Sequence, residues 1–192
     1  MKTIHLNYPI LLISDVHCRI EKIDLIRAKH PEIKNRVFLG DLFEFQFPQP
    51  GQNYKAGEWL VQNINEYVFV AGNHCITVAK KRLDITEEHF NLIANNFYIV
   101  VKIELPNNKN LICCHSKPND LWEFINPGYT FREFEEDWAC VDENTLACCF
   151  AHTHRPMVHQ FQETDTKLWN IGAARDGDYG IITEKGIEFK KL

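Results

Sequence analysis

Five short apolar runs in this chain each lead directly into polar side chains of a kind that binds metal ions. These side chains are Asp15 and His17 in SDVH, Asp41 in GDLFE, Asn73 in GNH, His115 in CCHS, and His152 with His154 in AHTH. Short apolar runs bounded by polar residues are typical of buried strands. Open α/β sheets carry their sites at the carboxyl ends of the strands. The pattern therefore predicts an α/β fold whose strand ends bring these groups together.

The pair His152 and His154 follows the apolar run LACCF. Because side chains at i and i+2 of a strand point to the same face, this spacing predicts that both rings reach one point from the end of a strand. An isolated HxH pair is more often a surface feature. The four other motifs favour the metal-binding interpretation.

The first half of the chain alternates between strand-like and helix-like patterns, and Thr86 is a candidate N-cap of the last of these helices. The predicted strands with their following loops are 8–17, 35–41 and 67–74, and the predicted helices are 20–30, 54–66 and 86–96.

The second half is rich in strands. Residues 97–105 and 110–116 flank a turn, and short strand-like runs continue to the end of the chain. Residues 117–145, rich in aromatic and acidic side chains with Pro127 near the middle, predict a helical insertion. The whole order predicts one domain over residues 1–192, with two packed sheets and helices outside them.

Composition limits the function classes. The formal net charge of −5 argues against a partner such as a nucleic-acid polymer, whose binding usually needs a basic face. The chain has no run of 18 apolar residues and no signal-peptide pattern, so we expect no membrane span and a cytoplasmic location. The seven cysteines include no CxxC pair and are expected to be free, small apolar residues. The oligomeric state stays open.

The types of ligand atom narrow the choice of metal ion. Asp15, Asp41 and Asn73 offer oxygen, and four histidines offer imidazole nitrogen. A mixed nitrogen and oxygen set without thiolate suits Mn²⁺, Fe or Zn²⁺. Seven protein groups are too many for one ion with an open catalytic position. They suit two ions if one carboxylate bridges them.

The ordered motifs D-x-H, GD-x-x-E, GNH, H and H-x-H resemble the calcineurin-like metallophosphoesterase family over nearly the whole chain. The resemblance implies a four-layer α/β/β/α sandwich of two mixed sheets flanked by helices. It also implies a role for each ligand: the first metal is held by Asp15, His17 and His154, the second by Asn73, His115 and His152, and Asp41 bridges the two.

The resemblance further implies that Glu44 orients the site and that His74 contacts the substrate or acts as the acid. The chain departs from the family pattern at Cys75, where an acid often follows the GNH histidine, and at Ala151, where glycine usually precedes HxH. Because Cys75 cannot raise the pKa of the imidazole as a carboxylate would, we expect His74 either to be a weaker acid or only to hydrogen-bond the phosphate.

The resemblance implies hydrolysis of a phosphate mono- or diester by attack of a metal-bridging hydroxide on phosphorus. We expect two divalent ions as cofactors, with Mn²⁺ favoured and Fe or Zn²⁺ as alternatives. Asp41 and His74 are the candidate catalytic residues. Asn73, Arg155 and Arg175 are the candidate substrate-binding residues, and each arginine has an alternative structural role at the edge of the domain.

The sequence constrains the identity of the substrate less than it constrains the metal ligands. The GDLFEF block lacks the Asp-Arg-Gly of protein serine/threonine phosphatases, which leaves a small phosphoester, with nucleotides among the candidates. One alternative is a hydrolase similar to UDP-2,3-diacylglucosamine pyrophosphatase, and another is a non-catalytic metal-binding scaffold on the same fold. The aromatic side chains of the insertion could cap a base or sugar or pack on the sheet. They are Trp122, Phe124, Tyr129, Phe131, Phe134 and Trp138.

Overall fold

A computed structural model describes residues 1–125 and 128–192 of the chain. Its helices are α1 (Ile20–Lys29), α2 (Gln52–Asn63), α3 (Asn73–Lys81), α4 (Glu87–Asn96) and α5 (Phe131–Asp137). Its strands in the first half are β1 (Lys2–His5), β2 (Ile10–Ile13), β3 (Asn35–Phe38), β4 (Val68–Val70), β5 (Phe97–Tyr98) and β6 (Val100–Glu104). Those in the second half are β7 (Asn110–Cys114), β8 (Thr145–Phe150), β9 (Met157–Gln160), β10 (Lys167–Asn170), β11 (Asp178–Thr183) and β12 (Gly186–Lys191).

The strands form two mixed six-stranded sheets. One, the helix-covered sheet, has the order β12-β11-β2-β3-β4-β5, with β2, β3, β4 and β5 parallel. The other, the insertion-side sheet, has the order β1-β6-β7-β8-β10-β9, with β7, β8 and β10 parallel. Parallel neighbours end at the same edge of a sheet, which sets where the residues after each strand lie.

Three apolar layers separate the elements. Alternate residues of β2 show the division, because Leu11 and Ile13 pack against the α1–α4 side while Ile10 and Leu12 pack between the two sheets. Complete burial of one such side chain stabilises the fold by about 1.5–3 kcal/mol. The third layer joins the outer face of the insertion-side sheet to α5. The predicted α/β/β/α sandwich is therefore confirmed.

Helix ends follow local sequence signals where these are strong. Thr86 caps α4 as predicted, and its hydroxyl accepts a hydrogen bond from the backbone N–H of His89 at 3.1 Å. Thr130 caps α5 in the same way, and its backbone N–H donates a hydrogen bond to the Glu133 carboxylate at 2.7 Å.

One local prediction was wrong, and two elements were missed. Residues 97–105 are two strands in different sheets, since β5 pairs with β4 and β6 pairs with β1 and β7. Residues 73–81, where no helix was predicted, form α3, because packing of Val78 and Ala79 onto the sheet overrides the weak helix propensity of Ile76, Thr77 and Val78. The N-terminal strand β1 was also missed.

The expected insertion at 117–145 is less helical than its composition indicated. Its described part holds α5 as its helix, with irregular chain before and after it. Tyr129, Phe134 and Trp138 are buried against the insertion-side sheet, so part of this segment forms the fourth layer of the sandwich. Residues 126 and 127, including Pro127, lie outside the described ranges.

Two further expectations concern the chain as a whole. None of the helices in the described ranges has the length and apolar character needed to cross a membrane. The seven cysteines are all free, and Cys75 together with the four in β7 and β8 is buried. Burial raises the pKa of the Cys75 thiol to about 12, so it stays a neutral thiol that packs as an apolar group.

Candidate metal centre

The sequence-predicted metal ligands meet where the two sheets face each other. Asp15, Asp41 and Asn73 follow the parallel strands β2, β3 and β4 of the helix-covered sheet. His115 and His152 follow β7 and β8, which are parallel neighbours in the insertion-side sheet. Because each set leaves its sheet at the carboxyl edge, the stacked sheets bring both sets together.

One group of side chains consists of Asp15, His17 and His154. Oδ1 of Asp15 lies 3.0 Å from Nε2 of His154 and 3.7 Å from Nε2 of His17. The two ring nitrogens are 3.2 Å apart. Three donor atoms therefore point at one small volume, in a nitrogen and oxygen set that suits a divalent transition metal.

A second group consists of Asp41, Asn73, His115 and His152. Nε2 of His115 lies 3.1 Å from Oδ2 of Asp41, 3.1 Å from Oδ1 of Asn73 and 3.2 Å from Nδ1 of His152. On the other side of the ring, Nδ1 of His115 donates a hydrogen bond to the carbonyl oxygen of Leu39 at 2.7 Å. That bond places the ring proton on Nδ1 and turns the Nε2 lone pair towards the group.

Asp41 lies between the two groups. Its carboxylate is also within 4.8 Å of donor atoms of His17 and His74, and it is almost completely buried. Its other oxygen, Oδ1, accepts a hydrogen bond from the backbone N–H of His74 at 2.9 Å. A carboxylate held between two clusters in this way has the position that a bridging ligand requires.

The histidines of the HxH motif do not reach one point. His152 belongs to the second group and His154 to the first, and residues 151–156 follow β8 as irregular chain. The interpretation from strand alternation is therefore wrong. Both residues have positive φ, 65° for His152 and 59° for His154, and this turning of the backbone separates the rings.

Left-handed backbone recurs at the candidate ligands. Asp15, His17 and Asp41 have φ values of 49°, 47° and 57°. With His152 and His154, five of the seven candidate ligands therefore have a backbone conformation that residues other than glycine rarely adopt. Such strain costs about 1–3 kcal/mol per residue and clusters at functional sites. The surrounding sheets hold these turns in place.

Two glycines permit the close approach of the strand ends. A Cβ on Gly72 would collide with the backbone and carboxylate of Asp41. A Cβ on Gly40 would lie 2.5 Å from Nδ1 of His115, and the φ of Gly40 is +98°. The glycines of the GD and GNH motifs are therefore required by the packing of the centre.

The electrostatics show that this point attracts positive charge. Burial opposes ionisation of Asp15 and Asp41, but neighbouring imidazoles outweigh it and lower both carboxyl pKa values. Burial likewise opposes protonation of His17 and His115. Contacts with Asp15 and Glu44 raise the pKa of His17 to about 9, and the charges of Asp41 and Asp15 raise that of His115 to about 9.

A buried carboxylate oxygen indicates that the residues of this centre suit a cation. Oδ1 of Asp15 is fully buried, and its contacts with the ring nitrogens of His154 at 3.0 Å and His17 at 3.7 Å do not have hydrogen-bond geometry. A buried carboxylate oxygen left in this state is costly unless it is paired. A divalent ion would pair it and compete with protons for the same ring nitrogens. The residues present therefore fit metal ions.

Glu44 joins the centre to His74. Its two carboxylate oxygens lie 3.1 Å from Nδ1 of His17 and 3.0 Å from Nδ1 of His74. Burial acts to raise the pKa of Glu44, but the imidazoles and the Gln46 backbone lower it to about 2. The pKa of His74 is lowered, chiefly by burial and with a contribution from His17, despite the charge of Asp41.

Sequence reasoning missed several supporting groups. The hydroxyl of Ser14 donates to Oδ2 of Asp15 at 2.6 Å, and the Leu39 carbonyl orients His115. The Trp122 carbonyl lies 3.4 Å from Nε2 of His152. Ser14 precedes Asp15 in the motif and could have been proposed. No sequence signal identifies a backbone carbonyl from a distant loop.

The candidate substrate-binding residues do not all lie at the cavity above the centre. Asn73 and His74 line a cavity of about 420 Å³ that opens above the centre, together with Gln46, Trp122 and Phe124. Neither Arg155 nor Arg175 is among the described residues that line it. Arg155 is exposed beside His154, and Nε of Arg175 lies 3.5 Å from the Asp176 carboxylate.

Comparisons with known proteins agree with this geometry. The sequence profile of the calcineurin-like phosphoesterase family matches residues 8–179, so the chain belongs to that family. It is a phosphoester hydrolase of the metal-dependent class. The comparison with curated proteins gives no match.

Solved structures show the same fold. A metallophosphoesterase from Sphaerobacter thermophilus superposes with a TM-score of 0.70 at 19% identity, covering 96% of this chain and 87% of that one. Yfce, a phosphoesterase from E. coli, gives a TM-score of 0.59 at 18% identity, covering 92% and 88%. A putative diadenosine tetraphosphatase gives 0.61 at 14% identity, covering 99% and 97%.

Proposed function

We propose that this protein is a dinuclear enzyme that hydrolyses a small phosphate mono- or diester, with Mn²⁺ as its resident metal. The observation that carries the proposal is the convergence of seven donor side chains in two neighbouring groups, with Asp41 of the second group also close to His17 of the first. The grouping supports Asp15, His17 and His154 as ligands of one ion, and Asn73, His115 and His152 as ligands of the other.

Bound divalent ions at such a centre supply a nucleophilic oxygen at neutral pH and neutralise charge on the phosphoryl group. The protein's own part is to hold the donors in place. Ser14, the Leu39 carbonyl and Glu44 fix the orientations of Asp15, His115 and His17. Second-sphere partners of this kind typically change metal affinity or activity by about 10- to 100-fold.

His74 is the candidate proton donor to the leaving oxygen. Its Nδ1 faces Glu44, and the ring lines the cavity. In its protonated form, His74 donates through Nδ1 to Glu44 and holds a second proton on Nε2 for the departing group. Glu44 is therefore the acid that faces His74 in this chain, and its charge partly offsets the burial that lowers the pKa of that ring.

Asn73 is suited to contact the substrate as well as a metal ion, since it lines the cavity. Arg155 directly follows the HxH histidines, and the backbone N–H of Arg175 donates a hydrogen bond to the Asp15 carbonyl oxygen at 3.2 Å. We assign both arginines to the phosphate oxygens of a bound ester. We also infer a single domain of 192 residues, a cytoplasmic location and no nucleic-acid polymer as substrate.

Metal content and turnover measured on the same protein test the proposal. The chain is stripped with chelator, titrated with Mn²⁺, Fe²⁺ or Zn²⁺, and assayed with 4-nitrophenyl phosphate and bis(4-nitrophenyl) phosphate. We expect two ions per chain by elemental analysis and activity that rises with the second ion. One ion per chain at full activity would contradict the dinuclear centre, and higher activity with Zn²⁺ would contradict manganese.

A further inference from the structure

Two large aromatic side chains at the mouth of the cavity are exposed. Trp122 is 53% exposed and Phe124 is 59% exposed, and both line the cavity with Asn73, His74 and His152. Aromatic groups exposed together beside a polar centre typically mark a ligand-binding surface. Their position above the candidate metal centre places that surface where it would adjoin an ester bound at the centre.

Their exposure contrasts with the rest of the same segment. Tyr129, Phe134 and Trp138 are buried beneath it in the outer core of the sandwich. Burial of an aromatic side chain is favourable by roughly 1.5–3 kcal/mol. The fold therefore buries three aromatic residues of the insertion and leaves the two beside the cavity facing solvent.

The two rings are held in defined orientations. Phe124 stacks on His152 with centroids 4.5 Å apart and an interplanar angle of 23°. Trp122 meets the ring of Phe45 edge to face at 6.0 Å, and Phe45 packs on His74 at 4.4 Å. Each ring is thus supported by an aromatic neighbour, and much of its surface stays open to the cavity or solvent.

The segment carrying these rings is anchored at Glu123, between them. The hydroxyl of Ser116 donates to the Glu123 carbonyl, and Nζ of Lys117 pairs with the Glu123 carboxylate at 2.5 Å. Lys117 also pairs with Asp137 of α5 at 2.9 Å. Because Ser116 and Lys117 directly follow His115, the aromatic pair is tied to the strand end that carries a candidate ligand.

We propose that Trp122 and Phe124 bind a planar nucleobase, and that the enzyme therefore selects nucleoside phosphates among phosphoesters. This inference rests on the proposed function and adds the substrate class. Aromatic rings stack on any base, because every base presents a π face. Gln46 and Thr153 line the same cavity and offer hydrogen-bond groups for the edge of a base.

The cavity favours this occupant over an acyl chain. Its volume of about 420 Å³ lies in the lower part of the range for small-molecule sites, about 300–1,000 Å³. Its wall combines two flat rings with the polar side chains of Gln46 and Thr153. Flat rings with polar neighbours match a heterocycle that stacks and hydrogen-bonds.

Matched substrates isolate the contribution of the base. Adenosine 5′-monophosphate and ribose 5-phosphate share the primary alkoxide leaving group and differ in the base. Their methyl diesters form a second pair. We expect Trp122→Ala and Phe124→Ala to raise the KM of the adenosine compounds by about 5- to 150-fold each, the effect of losing one stacking contact. For Trp122→Ala, whose ring does not contact a candidate ligand, the kcat values and the KM of the ribose compounds should change less than about 2-fold.

Two further variants serve as controls. Trp122→Phe keeps an aromatic ring and should restore most of the affinity for adenosine compounds. Leu25→Ala shortens an apolar side chain on α1 that is also 53% exposed, and it should leave both pairs unaffected. An equal effect on adenosine and ribose compounds would show that the aromatic pair acts on folding or on the phosphate.

Equilibrium binding tests the pair without turnover. Trp59, Trp138 and Trp169 are buried, so quenching of tryptophan fluorescence by adenosine 5′-monophosphate should come from Trp122 and disappear in Trp122→Phe. If the metal-loaded enzyme hydrolyses none of the four esters, the proposed function fails while this titration still tests the base site. Equal affinity for ribose 5-phosphate, or tighter binding of decyl phosphate, would overturn the nucleobase proposal.

Discussion

The carboxylate of Glu44 lies 3.0 Å from Nδ1 of His74. The same carboxylate contacts His17, a candidate ligand, at 3.1 Å. One side chain from the second motif thus links the metal centre to the candidate proton donor. An acid from another loop therefore faces His74, while the position after the GNH histidine holds Cys75.

Replacement of Glu44 by glutamine removes the charge and keeps the shape. We expect kcat for alkyl phosphates to fall about 10- to 100-fold, the range for loss of a second-sphere partner. Aryl phosphates should be affected less, because their leaving groups need less protonation. Steady-state kinetics at saturating Mn²⁺ measure this difference, with Glu21→Gln on the exposed face of α1 as the control. An equal loss of kcat for alkyl and aryl phosphates would show that Glu44 acts only on metal binding.

Truncation of His74 tests the proton donor itself. His74→Ala should leave two metal ions bound and slow alkyl phosphates by about 10²- to 10⁴-fold, the usual contribution of a general acid. Elemental analysis and kinetics on one preparation separate the two effects, and His5→Ala at an exposed position is the matched control. Loss of metal from His74→Ala would make His74 a ligand, which its position beside His17 and Asp41 permits.

Asp41→Asn tests the bridging position. An amide supplies one good oxygen ligand where the carboxylate supplies two, so both groups should weaken. We expect metal content to fall below two per chain and kcat to fall by at least about 100-fold. Asp24→Asn, at an exposed position on α1, should change neither quantity. Full metal content with unchanged turnover would show that Asp41 does not bridge the two ions.

Restoring the family acid at Cys75 should not improve the enzyme. Cys75 is fully buried in the apolar layer between the helix-covered sheet and its helices, so an aspartate there would be a buried charge without a partner. We expect Cys75→Asp to lower the free energy of unfolding by about 3–5 kcal/mol. Urea denaturation measures this loss, with Cys75→Ala, at about 1 kcal/mol, as the control. Unchanged stability with faster alkyl ester hydrolysis would contradict the packing argument.

The anchor of the aromatic segment should respond to acid. Partial burial acts to raise the pKa of Asp137, but hydrogen bonds from Lys117, Tyr129 and Asn119 lower it overall. A carboxyl group whose folded pKa lies below the unfolded value of about 3.9 stabilises the fold above that pH. This contribution is lost as the pH falls through the folded pKa.

Asp137→Asn should therefore be less stable than the wild type at pH 7 and show a weaker loss of stability between about pH 5 and pH 3. Urea denaturation at several pH values measures both effects. Asp165→Asn, at an exposed position, is the control for the removal of one surface charge. A parallel pH dependence in Asp137→Asn and wild type would show that the Lys117–Asp137 pair contributes nothing to folding.

The order of the motifs was sufficient to predict the family, the sandwich and the groups that converge. Each motif is local, since an apolar strand and the polar residues after it are adjacent in the chain. Parallel strands end at one edge, so the carboxyl ends of β2, β3 and β4 had to carry Asp15, Asp41 and Asn73 to the same place.

Local patterns failed where the partner of a segment decided its structure. Residues 97–105 have one continuous strand-like pattern, but β5 pairs in one sheet and β6 in the other. The HxH pair was expected to act as neighbours on a strand, whereas its left-handed backbone sends His152 and His154 to different groups. In both cases the local sequence is compatible with more than one path.

The sequence by itself determined which residues supply nitrogen and oxygen donors and which strands deliver them, because both depend on residue type and on short-range periodicity. Only the tertiary structure decided that Glu44 holds His74, that Cys75 points into the core, and that Trp122 and Phe124 stay exposed while their neighbours are buried. Those outcomes depend on which distant surface each side chain contacts when the two sheets pack. The residues nearby in the chain do not indicate that contact.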